Sequence, residues 1–335
     1  MSEYSICHYP YTSIQINEKG DVHPCCHPWC SFYSFGNILE QPFEEIWNGE
    51  KAQEFRKQFL NDDFKYCQLD TCINGNERQF KTDLIAKDYP DVIALSYDRV
   101  CNVQCIFCRD CRVEQDLSVF DNKIDEWLPD VFKNAERVSL SGVGEALASK
   151  HTRNVMKKIA NLYPKVKFDI LTNGVLMDER NLSELNIKNN LGVIRFSFHA
   201  IKKGTYNKLV NYGNFDRIMK NIEYIAQLQE QGLVQQLEFR FVINALNYKE
   251  MVDFAKMAKK YKANVTFLNL LSNEGTMERF DELNVINPKH PKHKDFKKVL
   301  TNPIFREPFI FINKDLLENN ETKSSNIFLK WFKKN

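Results

Sequence analysis

Several features are absent from this sequence, and each absence excludes a class of protein. All ten cysteines lie between Cys7 and Cys111, so the rest of the 335-residue chain has none. With 46 Lys and Arg against 44 Asp and Glu, the charge balance gives no reason to expect a nucleic-acid-binding or membrane-surface protein. No apolar run reaches ~18 residues, so no transmembrane helix is expected. The first ten residues also lack the basic-then-apolar pattern of a secretory signal, and together these absences predict a soluble cytoplasmic protein.

The clustered cysteines divide the chain. At ~150 residues per domain, its length suggests two domains, or one large domain with an appendage. In a reducing compartment, clustered thiols indicate metal or cluster ligands before they indicate disulfides. We therefore expect a cysteine-rich metal-binding domain at residues 1–85, followed by a larger domain of different character.

From about residue 90, short β-rich runs alternate with helical patterns. The runs are residues 92–97, 137–142, 166–174, 193–200, 237–245 and 263–271. One helix is predicted over residues 215–231, before Gly232, and another over residues 248–261, with Asn247 as N-cap and Glu250 three residues later. This alternation predicts an α/β fold whose parallel sheet closes wholly or partly into a barrel. Chemistry is then expected at the C-terminal ends of the strands.

Three cysteines follow the first predicted strand in a C-x3-C-x2-C spacing. The run CNVQCIFC places Cys101, Cys105 and Cys108 on one short loop. Three thiolates can hold three irons of a [4Fe–4S] cube and leave the fourth iron without a protein ligand. An open metal position of this kind can accept a substrate or cofactor, as catalytic zinc sites do.

This loop resembles the signature of the radical S-adenosylmethionine (SAM) superfamily, and Phe107 stands where that family prefers an aromatic residue. The resemblance covers about residues 90–275. It implies a partial (β/α)6 barrel of the radical SAM type at residues 86–280, with residues 281–335 as a basic C-terminal extension. It also implies that SAM binds the open iron through its amino and carboxylate groups. One electron from the cluster then cleaves a C–S bond, and the resulting 5′-deoxyadenosyl radical abstracts a hydrogen atom from substrate.

The second strand ends in SGVGEAL, which is similar to the Gly-Gly-Glu motif of the family. The resemblance implies that Gly142, Gly144 and Glu145 bind the methionyl amino group of SAM. Glycines permit close backbone approach, and a carboxylate pairs with an ammonium group. Ala146 stands where the family often has proline.

The next two strand ends carry further candidates. The third ends in LTNG, a run frequent in the family, so Asn173 is expected beside the cofactor; an ordinary Asn-Gly turn is the alternative. The fourth ends in SFHA, where the resemblance implies that Ser197 lies near the SAM ribose. His199 replaces the aspartate that relatives often carry. It is a candidate acid, base or hydrogen-bond donor towards substrate, and a structural histidine is the alternative.

The N-terminal segment resembles the SPASM or twitch auxiliary-cluster domain. It has an early cysteine, Gly20 four residues before Cys25, a Gly-Asn-Ile segment, a predicted helix over residues 42–60 and a closing cysteine pair. The resemblance implies one auxiliary [4Fe–4S] cluster held by Cys7, Cys25, Cys67 and Cys72. Two departures from the family are that the domain precedes the barrel and that the closing pair is C-x4-C instead of C-x2-C. The choice between Cys25 and Cys26 therefore stays open.

Zinc is the alternative metal at both sites. At the triplet, Cys111 would supply a fourth ligand in a further C-x2-C spacing. In the N-terminal segment the zinc ligands would come from a mixed set: Cys7, His23, Cys25, Cys26, His27 and Cys30.

These patterns predict an oxygen-sensitive radical SAM enzyme of oxidoreductase or epimerase type. Its expected partners are a substrate and an electron donor such as flavodoxin or ferredoxin, with no nucleic acid and no membrane. A fully ligated auxiliary cluster favours oxidation, whereas epimerisation needs a thiol, for which Cys111 is the candidate. Because no peptide-recognition module precedes Cys7, a small polar, sugar-like substrate is expected before a peptide. Two alternatives stay open: a maturase acting on a peptide or protein side chain, and a non-catalytic zinc or iron–sulfur scaffold.

Overall fold

The computed structural model describes residues 7–26, 30–61, 63–69, 72, 86–108, 115–140, 144–271 and 279–317. The strands in these ranges are β1 (Ser13–Ile16), β2 (Asp21–His23), β3 (Gly36–Asn37), β4 (Val92–Leu95), β5 (Gln104–Cys105), β6 (Arg137–Leu140), β7 (Lys167–Thr172), β8 (Leu191–Ser197), β9 (Val210–Asn211), β10 (Gln236–Val242), β11 (Asn264–Leu268) and β12 (Ile310–Phe311). The α-helices are α1 (Tyr9–Thr12), α2 (Phe43–Asn48), α3 (Glu50–Lys57), α4 (Ser118–Asn122), α5 (Ile124–Val131), α6 (Lys150–Leu162), α7 (Glu179–Leu185), α8 (Lys203–Leu209), α9 (Phe215–Glu230), α10 (Met251–Lys260), α11 (Phe280–Leu283), α12 (His293–Leu300) and α13 (Lys314–Leu317). In the parts of the chain that are described, no helix has the length and apolar character needed to cross a bilayer.

One sheet of ten strands organises the molecule, in the order β12-β11-β10-β8-β7-β6-β4-β1-β2-β3. Every neighbouring pair from β12 to β1 is parallel, whereas β1–β2 and β2–β3 are antiparallel. The six predicted runs correspond to β4, β6, β7, β8, β10 and β11. In the sheet, these six strands lie side by side in the order in which they occur along the chain. The predicted α/β fold with a parallel sheet is thus confirmed. Helices follow these strands along the chain, which brings the strand C-terminal ends to one edge of the sheet.

The two faces of the sheet differ in character because successive side chains of a strand point to opposite sides. On one face, Phe239 and Phe241 of β10 pack against Phe254 of α10. The opposite face, called the open face below, carries half-buried polar side chains. Its polar members on the central strands are Asp169, Arg195, Ser197, Glu238, Arg240 and Thr266.

The cysteine-rich N-terminal segment joins the same sheet. Residues 13–16 of β1 lie in parallel register with residues 92–95 of β4. The indole nitrogen of Trp47 also donates a 2.8 Å hydrogen bond to the carbonyl oxygen of Lys87. At the other edge, β12 adds residues from the C-terminal segment in parallel register with β11. The predicted central region is therefore extended at both sides by its flanking segments.

The structure contains the predicted helices, but one of them is divided into two. The helix expected over residues 42–60 ends at Asn48 as α2 and resumes at Glu50 as α3, because Gly49 adopts an extended backbone. The helix expected over residues 215–231 is confirmed as α9. Gly232 follows with φ +75°, a left-handed conformation that suits glycine after a helix.

The prediction that Asn247 caps the helix after β10 is wrong. A 3₁₀ turn over residues 248–250 precedes α10, and the Asn247 side chain makes no capping bond. Instead, its amide donates to the carbonyl oxygens of His199 and Val242, each at 2.9 Å. Glu250 likewise turns away from its own helix and accepts a 2.8 Å hydrogen bond from the backbone nitrogen of Ile201. Both side chains thus fasten the loop after β8 to the elements beside it.

Candidate functional site

The three cysteines of the C-x3-C-x2-C loop lie together beyond the C-terminal end of β4. Cys105 belongs to β5, which pairs antiparallel with β9 at Val210, so the loop is held by backbone bonds. Burial raises the pKa of the Cys105 thiol, and the neighbouring Cys108 and Cys101 thiols raise it further. The three thiols that the spacing selects therefore lie within electrostatic range of one another.

The loop after β6 packs directly against this cysteine loop. A Cβ on Gly144 would lie 2.5 Å from the carbonyl oxygen of Asp98 and 2.6 Å from that of Val100. Glycine is needed here because any side chain would push the two backbones apart. The backbone nitrogen of Glu145 then donates a 2.8 Å hydrogen bond to the Val100 carbonyl oxygen, which fixes the carboxylate beside the cysteines.

Glu145 is a buried carboxylate with only 3% of its surface exposed. Burial raises its pKa to about 7, against the opposing effect of hydrogen bonds from the Asn173 backbone nitrogen and the Thr172 hydroxyl. Those donors lie 2.6 Å and 2.8 Å from the carboxylate oxygens. Among the described residues, no cation contributes to this pKa. A buried carboxylate without a positive partner fits the ammonium group of a bound amino acid such as the methionyl end of SAM.

Asn173 connects the end of β7 to the cysteine loop. Its side-chain amide donates a 2.8 Å hydrogen bond to Asn102 Oδ1 and lies 3.9 Å from Cys101 Sγ. Its side-chain oxygen accepts a 3.0 Å hydrogen bond from the Val175 backbone nitrogen. The structure thus brings this predicted site residue to the cysteines through its side chain and to Glu145 through its backbone.

His199 lies at the end of β8, with 4% of its surface exposed. The Val242 backbone nitrogen donates to Nδ1 at 3.1 Å, so Nε2 carries the proton and donates to Ser197 Oγ at 3.1 Å. Burial lowers the pKa of the imidazole to about 3. Phe107 contacts the ring edge-on, with centroids 4.9 Å apart. A neutral imidazole with both nitrogens engaged supports positioning of Phe107 and Ser197, and it does not support the expected acid–base role.

The open face continues from Ser197 into a charged network. Ser197 lies opposite Arg240 in the register of β8 and β10. The guanidinium groups of Arg195 and Arg240 lie 3.1 Å and 3.0 Å from the two oxygens of Glu238. Thr266 donates a further 3.0 Å hydrogen bond to that carboxylate. Burial favours the protonated form, but the arginines outweigh it and hold the pKa of Glu238 below its ordinary value.

Tyr206 was missed by the sequence analysis. Only 1% of its surface is exposed, and its buried hydroxyl finds no hydrogen-bond partner among the described residues. Burial raises the pKa of this tyrosine, and Cys105 and Cys101 raise it further, so the hydroxyl lies near the cysteine loop. A Cβ on Gly213 would lie 2.1 Å from that hydroxyl. An unsatisfied buried donor beside these thiols fits a site completed by a group with acceptor atoms, such as an iron–sulfur cluster.

The N-terminal cysteines also come together. Cys25 has a raised pKa, first because its thiol is hydrogen-bonded to that of Cys30, then because of burial, with Cys7 and Cys67 adding to the effect. Cys7, Cys25 and Cys67 belong to the predicted ligand set, whereas Cys30 does not. Cys72, the fourth predicted ligand, is half-buried.

The zinc alternative in this segment gains no support from the described residues. The ring nitrogens of His23 are both engaged: Nδ1 lies 2.9 Å from the Tyr33 carbonyl oxygen and Nε2 lies 3.0 Å from the Asn17 amide. Within the described ranges, no three His, Cys, Asp or Glu side chains converge closely enough to share a single ion. Three residues named in the predictions, Cys111, Gly142 and His27, lie outside the described residues.

Comparison with known proteins finds similar sequences for both parts of the chain. Residues 7–73 match SPASM, an iron-sulfur cluster-binding domain. The chain is 26% identical over 187 residues to the FeMo cofactor biosynthesis protein NifB of Methanocaldococcus infernus, covering 48% of this chain and 60% of that protein. It is 25% identical over 179 residues to a GTP 3′,8-cyclase of Desulforamulus reducens, covering 51% and 52%. The chain therefore covers less than two thirds of the length of either relative.

Two solved structures also match parts of the chain. Streptococcus suis SuiB bound to S-adenosylmethionine matches with a TM-score of 0.46 and 15% identity, covering 83% of this chain and 56% of that one. Native anSMEcpe with bound AdoMet and Kp18Cys peptide matches with a TM-score of 0.41 and 18% identity, covering 64% and 59%. The predicted cofactors, SAM and [4Fe–4S] clusters, are those of the radical SAM family. The SPASM match, the two relatives and the ordered motifs bear out the predicted resemblance to the radical SAM superfamily, with the match to a SPASM domain over residues 7–73.

Proposed function

We propose that this chain cleaves SAM reductively and uses the resulting radical to activate a substrate C–H bond. The observation that carries the proposal is the buried Glu145 carboxylate, which lies beside the loop of Cys101, Cys105 and Cys108 and has no cationic partner within the described ranges. In the proposal, the three thiolates hold the [4Fe–4S] cluster and Glu145 binds the ammonium group of SAM. When bound, cluster and SAM supply the 5′-deoxyadenosyl radical by one-electron cleavage of a C–S bond.

The surrounding residues position these groups. Gly144 lets the carboxylate approach the cysteine loop, and Asn173 ties that loop to the end of β7. His199 contacts the ring of Phe107, the residue before Cys108, and directs a proton towards Ser197. We further propose flavodoxin or ferredoxin as the electron donor.

The proposed substrate is a small polar, sugar-like molecule that is oxidised or epimerised. The polar character of the open face supports a substrate of this kind, since Ser197, Arg240 and Thr266 form one layer of it across three strands. Such groups hydrogen-bond hydroxyl and anionic groups readily. Oxidation is favoured by a fully ligated auxiliary cluster as electron acceptor. Epimerisation by Cys111 remains a prediction.

The test is anaerobic reconstitution with iron and sulfide, followed by SAM and dithionite, with 5′-deoxyadenosine measured by mass spectrometry. We expect about eight irons per chain, as for two four-iron cubes, and formation of 5′-deoxyadenosine. Glu145→Gln should keep the iron and lose most of the cleavage, because a neutral amide cannot pair with the ammonium group. The matched control is Glu184→Gln on α7, whose carboxylate forms an exposed ion pair with Arg153 and should not affect cleavage.

Two outcomes would contradict the proposal. Zinc in place of iron, or a loaded cluster without 5′-deoxyadenosine, would favour the non-catalytic scaffold. For the substrate, stimulation of SAM cleavage should be compared between a panel of sugars and alcohols and a panel of peptides. Stimulation by peptides alone would replace the sugar-like substrate with a maturase activity.

A further inference from the structure

The auxiliary site contains a cysteine that the family pattern does not assign. Cys30 is 2% exposed, and among the nine described cysteines it alone is fully buried. A buried cysteine is often only a small apolar side chain. Here the surroundings differ, because the Cys30 thiol is hydrogen-bonded to the Cys25 thiol.

Backbone bonds fasten Cys30 next to Cys67, although the two are far apart in sequence. The Gln68 backbone nitrogen donates to the Cys30 carbonyl oxygen at 2.8 Å. The Ser31 hydroxyl donates to the Tyr66 carbonyl oxygen at 2.7 Å. These bonds attach residues 30–31 to the residues on either side of Cys67, so the positions of the two cysteines are fixed relative to each other.

A backbone bond brings Cys30 back towards Cys25. The Cys30 backbone nitrogen donates to the Cys26 carbonyl oxygen at 2.8 Å. Cys7 and Cys67 lie within electrostatic range of the Cys25 thiol. Cys30, Cys7 and Cys67 thus all lie in the neighbourhood of the Cys25 thiol, at spacings wider than a single shared ion requires.

We propose that Cys30 is a ligand of the auxiliary cluster and completes a set with Cys7, Cys25 and Cys67. A [4Fe–4S] cube bound only by protein takes four thiolates, so Cys72 is not required in this set. The proposal rests on the proposed function in one respect, namely that the SPASM domain of this chain binds a cluster. It departs from the family pattern, in which the closing cysteine pair supplies the last ligands.

The experiment isolates the auxiliary cluster. In a full-length parent with Cys101, Cys105 and Cys108 all changed to Ala, any remaining cube belongs to the SPASM domain. Iron and sulfide are counted after anaerobic reconstitution, and the reduced cluster is recorded by electron paramagnetic resonance (EPR). The parent should hold about four irons per chain, as expected for one cube.

Three substitutions in this parent distinguish the possible ligand sets. Cys30→Ala should reduce the iron to near zero, whereas Cys72→Ala and the neighbouring Cys26→Ala should keep about four irons. Circular dichroism of the iron-free variants checks folding. If Cys30→Ala fails to fold, Cys30→Ser decides, because a hydroxyl is nearly isosteric and a serine-bound or three-iron cluster has a changed EPR signal.

The iron counts and EPR signals distinguish a wrong ligand assignment from a missing auxiliary cluster. Full iron and an unchanged EPR signal in the Cys30 variants, with loss of iron in Cys72→Ala, would overturn the ligand assignment and leave the proposed function intact. If the triple-alanine parent binds no iron and the wild-type chain binds only one cube, the auxiliary cluster itself is absent. In that case the inference fails together with the auxiliary part of the proposed function, and SAM cleavage by the wild type remains as a separate result.

Discussion

His199 lies at the predicted strand end, in surroundings that the sequence alone does not show. It follows β8 at the C-terminal edge of the sheet. Its φ of +59° lies in the left-handed region, and its backbone oxygen is held by the Asn247 amide at 2.9 Å. With the ring buried and neutral, the residue orders the strand end and contacts Phe107. The sequence could predict the position but not the protonation state, which depends on burial by residues distant in sequence.

The burial of the His199 imidazole predicts that part of the free energy of unfolding is lost in acid. Burial lowers the pKa of His199 from its ordinary value of 6.5 to about 3 in the folded chain. Above pH 6.5 both folded and unfolded chains carry a neutral imidazole, so there is no effect. As the pH falls from 6.5 towards 3, the unfolded chain binds a proton that the folded chain does not, and stability is lost. At pH 5 the expected loss is about 2 kcal/mol.

The measurement is denaturant unfolding of the iron-free chain at pH 7 and pH 5. His199→Asn should lose about 2 kcal/mol less than the wild type between the two pH values, and asparagine tolerates the left-handed backbone. His290→Asn, which removes a partly exposed imidazole in the C-terminal segment, is the control for loss of one histidine. Equal losses in the wild type and in His199→Asn would show that this imidazole is not the acid-sensitive group.

At the scale of elements, regular strands were predictable and the contacts between loops were not. The six central strands appear in the sequence as apolar runs separated by helical patterns, so their order and parallel pairing follow from local information and general topology. The pairing of β1 with β4 has no such signal, because β1 lies in the cysteine-rich segment, outside the alternation of strands and helices, and is followed by the antiparallel β2. The sequence pattern predicts that Asn247 and Glu250 begin a helix, but both side chains bind the loop after β8. Cys30 likewise reaches Cys67 only through bonds between distant segments.

The close packing of two loops gives the element-scale prediction. Gly144→Ala would place a Cβ against the carbonyl oxygens of Asp98 and Val100, and backbone cannot yield as a flexible side chain does. Overpacking of this kind typically costs about 1–3 kcal/mol, and here it also displaces Glu145 from the cysteine loop. We expect Gly144→Ala to lose at least tenfold in 5′-deoxyadenosine formation, which corresponds to about 1.4 kcal/mol.

The control for this prediction is Gly204→Ala in α8. A Cβ at Gly204 meets no atom within 4 Å, and alanine is a better helix former than glycine. Gly204→Ala should therefore keep wild-type cleavage and be slightly more stable to heat. Wild-type cleavage by Gly144→Ala would mean that the loops after β4 and β6 can separate without disturbing the site.

At the scale of the whole molecule, the SPASM domain and the barrel strands share one sheet. The predicted boundary near residue 85 follows the change in composition, but the described residues on its two sides are bonded together. Besides the register of β1 with β4, Phe43 stacks on Tyr89 with ring centroids 6.2 Å apart, and the Lys123 ammonium group donates to the Leu39 carbonyl oxygen. The auxiliary domain therefore supports the edge of the sheet next to the strand that leads into the cysteine loop.

Removal of residues 1–85 should consequently damage the catalytic region as well. Without β1, the edge of β4 presents unpaired backbone groups, which invite aggregation. The loop of Cys101, Cys105 and Cys108 would then follow an unsupported edge strand. We expect residues 86–335 expressed alone to be aggregated and to bind far less than the iron of one cube.

Gel filtration and iron counting test this directly. Co-expression of residues 1–72 as a separate chain should restore a soluble complex, because the sheet pairing needs no covalent link. A monodisperse fragment with about four irons and a cooperative thermal transition would instead mean that the core folds independently of its auxiliary domain.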